Sequence, residues 1–99
     1  MNIVDNTLVF KLGENNNLDD LNVTKEIKNF IADLSGVSLV IAESVKEKFI
    51  TFGDSISEMN GSFVIVCDFS FDDNLTIVPS LQEAYDYIEM EEMERQLKL

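Results

Sequence analysis

Two rhythms of apolar residues alternate along this chain, and together they predict its elements. Ile3-Val4 and Leu8-Val9-Phe10 flank Asp5-Asn6, whose side chains favour turns, so residues 1–12 read as a β-hairpin. Asn15-Asn16-Asn17 after Gly13 reads as a loop. The stretch 18–28 is ambiguous: Leu18, Leu21 and Ile27 could share a helix face, but Val23 and Thr24 weaken it. Residues 30–34 read as a strand ending at Ser35-Gly36. From about residue 44 to 60 the step becomes helical, with Val45, Phe49, Phe52, Ile56 and Met59 on one stripe. Gly53 interrupts that helix at a cost of about 1 kcal/mol relative to Ala, unless it serves close packing. Asn60-Gly61 supplies the stop. Residues 62–67 run apolar without polar alternation, as a central strand covered on both faces does. An acidic loop over 68–74 leads to a strand at 75–78, ended by Pro79. Ser80 with Glu83 then forms a capping box that opens a terminal helix. That helix buries Leu81, Ala84, Tyr85 and Ile88. Further on, Glu92 and Arg95 fall over this first stripe, whereas Met90, Met93 and Leu97 gather on roughly the opposite side.

Composition narrows the chemistry more than the fold. The 99 residues include no histidine, which removes the usual general base and imidazole zinc ligand and rules out Ser-His or Cys-His activation within the chain. Seven basic residues stand against 19 acidic ones, a net charge of −12. That balance argues against a nucleic-acid surface and against anionic membranes. It leaves open plain solubility or a basic protein partner. With 45% hydrophobic residues the chain suits a single domain over residues 1–99, of which residues 90–99 form a helical tail. The amino terminus has no basic region followed by a long apolar stretch, so no secretory signal is expected. The lone Cys67 fits a reducing compartment, and the expected location is cytoplasmic.

No constellation points to catalysis. The loop Asp68-Phe69-Ser70-Phe71-Asp72-Asp73-Asn74 lacks the alternating oxygens, central glycine and distal glutamate of a calcium loop. Cys67 reads as a buried structural thiol, and the glycines form no phosphate-binding run. No catalytic, metal-ligating or cofactor-binding residue is therefore assigned. Met90, Met93 and Leu97 have two readings: the tail bends and packs on its own domain, or it meets a partner protein or a second copy in a homodimer.

From Phe30 onward the order of features resembles the STAS domain, the fold of bacterial anti-sigma factor antagonists. The resemblance rests on a strand followed by Asp33-Leu34-Ser35-Gly36-Val37, a helix, a strand over 62–67, a strand over 75–78, and Pro79-Ser80-Leu81-Gln82-Glu83-Ala84 opening the last helix. Through Phe63-Val64-Ile65-Val66, the acidic loop, Ile77-Val78 with residues 79–84, and Ile88-Glu89-Met90-Glu91-Glu92-Met93-Glu94-Arg95, the carboxyl-terminal part also resembles short bacterial proteins that carry the label ribonuclease Z. True ribonuclease Z is a much larger enzyme that holds zinc with a histidine-rich motif, which this chain lacks.

The resemblance implies a small α/β domain with a mixed four- to five-stranded sheet and two main helices. A full STAS domain places a crossover helix between its last two paired strands. Here 68–74 is too short for one, so either the helix shrinks to a turn or 62–67 and 75–78 do not pair directly. The family's phosphorylatable serine falls at Ala42 or Glu43, with Ser44 as the equivalent only after a slip of one or two residues. Glu43 would then stand near a helix start, imitating a phosphate or simply stabilising the helix. The expected function is a non-catalytic cytoplasmic interaction module without the phospho-serine switch. Its contacts would be the loop and helix start at 38–44, with Ser38, Ala42, Glu43 and Ser44, and the tail helix at 90–97, with Met90, Met93 and Leu97. A kinase-like anti-sigma factor is the implied partner. The alternative, carried by the label alone, is an accessory protein of an RNA-processing nuclease.

Overall fold

The computed structural model describes residues 2–4, 6–11 and 27–97. The expected loop at 15–17 lies outside these, as does most of the ambiguous stretch 18–28; of that stretch, Ile27 is described and is buried. Strands β1 (Asn2–Val4), β2 (Thr7–Lys11), β3 (Asn29–Asp33), β4 (Ser62–Val66) and β5 (Ile77–Val78) lie side by side in chain order. Strands β2 to β5 run parallel, and β1 is an antiparallel edge that closes the predicted hairpin with Val4 opposite Thr7. Helix α1 (Leu39–Glu58) joins β3 to β4, and α2 (Leu81–Leu97) follows β5.

Side-chain alternation splits the core between two faces. Leu8, Phe10, Phe30, Ala32 and Ile65 point toward α1, where they meet Val45, Phe49 and Ile56. Phe52 is the hub of an edge-to-face aromatic group, 5.1 Å from the rings of both Phe30 and Phe63. The intervening residues Ile31, Val64 and Val66 point the other way, against Ala84 and Ile88 of α2. Residues 64–67 are buried throughout, as a strand covered on both faces requires.

Strands β4 and β5 do pair, in parallel, with Ile65 opposite Ile77 and Val66 opposite Val78. The connection between them carries no helix. Instead Phe69, Phe71 and Leu75 of that connection pack onto the α1-side cluster, doing with three side chains what a crossover helix would do with a face. Asp72 fixes the loop from within: its Oδ1 accepts the N–H of Asn74 at 2.7 Å, and its Oδ2 lies 3.8 Å from Lys46 Nζ on α1.

Helix α1 starts at Leu39, a full turn before the predicted residue 44, because Ser38 is the cap: its side chain accepts the N–H of Ile41. The buried stripe shifts with it to Ala42, Val45, Phe49, half-buried Phe52 and Ile56, while Met59, expected on the stripe, is 47% exposed. At the other end Gly61 N–H reaches Ile56 C=O and Asn60 N–H reaches Ser57 C=O, with Asn60 at φ 61. These are the two bonds of a Schellman stop, at the expected Asn60-Gly61. In α2 the Ser80 cap holds, accepting from Glu83 N–H, but Leu81 is 40% exposed rather than buried.

Candidate interaction surface

The carboxyl end of β3 leads into the first candidate surface through a compact turn. Asp33 Oδ1 accepts both the N–H and the hydroxyl of Ser35, at 3.0 and 2.6 Å. Val37 N–H returns to Leu34 C=O, and Gly36 sits at φ 82, the positive angle that the third residue of a type II turn takes. Asp33, Ser35 and Gly36 thus each have a turn-forming task. Val37 packs half-buried on the core, and the chain enters α1 at Ser38.

Leu39, Val40 and Ile41 follow, and they face solvent at 51%, 78% and 41% exposure. Consecutive helix positions point about 100° apart, so these three apolar side chains ring the exposed first turn of α1, beyond the carboxyl end of β3. They fall within the stretch 38–44 expected as a contact surface, although the helix begins at Leu39 rather than at 44. The Ser38 cap three residues before Ile41 is the local signal for this earlier start, and the low helix propensity of the β-branched Val40 and Ile41 obscures it.

The residues expected to form this surface divide. Ser38 is exposed at the cap. Ala42 is fully buried and turns into the core as the first member of the helix stripe, so it cannot meet a partner. Glu43 and Ser44 are exposed but belong to the second turn, and the first turn holds no acid, so Glu43 is not at the helix start. Ser44 Oγ donates to Ile41 C=O at 2.6 Å, a bond within the helix.

Met90, Met93 and Leu97 lie at the opposite end of the molecule, exposed at 53%, 58% and 86%. The same turns of α2 send Glu91, Glu92 and Arg95 inward. Beneath them Thr7, Asn29 and Ser62 stand opposite one another in register, a polar row at the amino ends of three parallel strands. Asn29 and Ser62 are buried and satisfied. Asn29 Oδ1 accepts the Ser62 N–H at 3.0 Å, and Asn29 Nδ2 donates to Asn6 Oδ1 at 3.3 Å. Ser62 Oγ donates to Glu91 at 2.7 Å and accepts from Arg95 at 3.0 Å, while Asn6 Nδ2 donates to Glu92 at 3.3 Å. No buried side-chain polar atom among the described residues lacks a partner. The helix therefore keeps one inward stripe, Ala84, Ile88, Glu91 and Arg95, which turns from apolar to polar where the sheet beneath it does the same. The tail packs on its own domain through this polar stripe and leaves its methionines outside.

Cys67 is buried just beyond β4, on the α1 side. Among the described residues no group of three His, Cys, Asp or Glu side chains is gathered as a metal ion requires, and no helix is long and apolar enough to cross a membrane. Comparison with family models, curated proteins and solved structures found no match.

Proposed function

We propose that this chain is a non-catalytic, cytoplasmic protein-interaction module built on a STAS-like scaffold, and that the first turn of α1 is its contact with a partner protein. The observation that carries this reading is the exposed run Leu39-Val40-Ile41, held out from the sheet edge by the Ser38 cap. Apolar patches on small domains mark interaction sites when they are contiguous and rimmed by polar residues, and Glu43 and Ser44 form part of that rim. Supporting the scaffold assignment is the strand, Asp33-Leu34-Ser35-Gly36 turn and helix in succession. The fold departs from the full STAS pattern in its helixless β4–β5 connection. It departs again at the switch: Ala42 is buried, and Ser44 lies in the second turn with its hydroxyl bonded to Ile41 C=O, away from the helix start where that family carries its phosphorylatable serine.

The partner fitting this patch has an apolar cleft bordered by basic residues, complementary to a chain of net charge −12. An affinity experiment tests the reading. Immobilised parent protein and its Val40→Asp variant are exposed to extract of the native cell, and retained proteins are identified by mass spectrometry. The expected result is a protein held by the parent and released by Val40→Asp. Identical retention by both would remove the first turn of α1 as the contact.

A further inference from the structure

Beside β4 the sheet is unfinished. Strand β4 has five residues and β5 has two, so β5 covers only the carboxyl half of its neighbour. The directions of the main-chain groups follow from the hydrogen bonds. Ile65 and Cys67 donate toward β5, to Thr76 and Val78, whereas Val66 C=O accepts from Leu34 beyond β3 and Ser62 N–H points to Asn29. Alternation then turns the N–H and C=O of Phe63 toward the β5 side. The chain that could have met them turns away: Asn74 and Leu75 direct their N–H groups back to Asp72. Among the described residues no main-chain hydrogen bond reaches Phe63 on that side.

This open edge is the floor of a groove of about 530 Å³. Helix α1 supplies one wall, with Gly53, Asp54 and Ser57, and α2 supplies the other, with Tyr87 and Glu91. A slot with helices on both sides and an unpaired strand edge at its base accepts an extended chain and little else, since only another strand offers the complementary N–H and C=O. The open stretch of β4 matches about three residues of extended chain, roughly 10 Å. Both walls carry a carboxylate, Asp54 exposed and Glu91 half-buried.

We infer that this groove binds an extended, lysine- or arginine-bearing peptide segment of another protein, which adds to the sheet as a strand beside Phe63 and sets a basic side chain on its α1-facing side against Asp54. This site is separate from the α1 patch, and either can fail without the other.

Nuclear magnetic resonance of the full chain tests it. The probe is a capped hexapeptide of alternating valine and lysine. Two controls accompany it, one with alternate amides N-methylated and one with glutamate in place of lysine. Binding of the first peptide shifts the Phe63 amide resonance and slows its hydrogen exchange. The N-methylated control leaves Phe63 unchanged because it cannot form the ladder. Glutamate in the peptide, or Asp54→Lys in the protein, weakens binding by at least about fivefold, since each removes an exposed ion pair and sets like charges in its place. Three results would overturn the inference. One is a Phe63 amide unmoved at peptide concentrations up to about 1 mM, the weak end of binding. Another is equal binding of the N-methylated peptide, which means charge attraction alone. The third is concentration-dependent protection of Phe63 without peptide, with dimers in sedimentation, which makes a second copy the occupant.

Discussion

Gly61 lies so close to the main-chain carbonyl of Lys28 that a β-carbon at residue 61 would collide with that oxygen and with the Ile56 side chain. The obstacle is backbone, just before β3, and cannot rotate aside. Gly61→Ala is therefore expected to cost about 2–3 kcal/mol, the range of core overpacking. Gly36 meets nothing but holds φ 82, so Gly36→Ala costs about 1–2 kcal/mol through strain alone. Gly53 is different again: its added methyl would touch Phe63 at 3.4 Å, an ordinary contact, and Gly53→Ala should gain up to about 1 kcal/mol of helix propensity. Urea midpoints of the three variants check the order.

Asn29 joins the starts of β3 and β4. Its amide accepts from Ser62 N–H and Arg95 and donates to Asn6. Asn29→Ala leaves the Ser62 N–H without its partner, while the main-chain bonds from Lys28 and Asn29 to Asn6 C=O still hold the hairpin turn, and a loss of about 2–3 kcal/mol is expected in equilibrium unfolding.

Arg95 holds the last turns of α2 through Ser62 and Asn29. Arg95→Ala should speed amide exchange at residues 93–97 while the turn from Ala84 to Ile88, held by apolar packing, keeps its protection. Uniform acceleration along α2 would contradict this division.

Val40 is 78% exposed and lies in the first turn of α1, which holds no acid. Val40→Asp removes apolar surface that supports no core and adds a charge favoured by the helix dipole, so stability should hold or rise by about 0.3–1 kcal/mol. Thermal unfolding shows this. A loss of stability would mean the first turn packs on the domain, and a loss of partner capture could then not be read as loss of contact.

Cys67 is 2% exposed. A bulky thiol reagent should modify it at the rate of unfolding, with urea accelerating the reaction in step with loss of structure. Fast labelling of folded protein would place the thiol at the surface.

What could be read from the chain beforehand was what is local. The hairpin, the apolar run of β4, the Asn60-Gly61 stop and the Ser80 cap each rest on neighbours within a few residues. The start of α1 was misplaced because Val40 and Ile41 have poor helix propensity and Ala42 is too small to announce a stripe. Placing Glu92 and Arg95 over the inward face of α2 was also possible. What they cover was not, because Thr7, Asn29 and Ser62 come from three separate strands and meet only once the sheet is paired. The groove beside Phe63 was hidden for a similar reason. It depends on how few residues of β5 pair, and no periodicity encodes that.

A transverse line of hydrophilic side chains under a helix does more than satisfy hydrogen bonds. Parallel strands of similar apolar content can slide past one another by two residues without changing which face looks inward. Such a slide here would lift Asn29 from Ser62 and set it against Val64, with its amide facing hydrocarbon and Glu91 stranded above. Misaligned pairings are thereby penalised far more than an all-aliphatic sheet would penalise them, and Asn29, Ser62 and Arg95 serve as the gauge against which the strands are set.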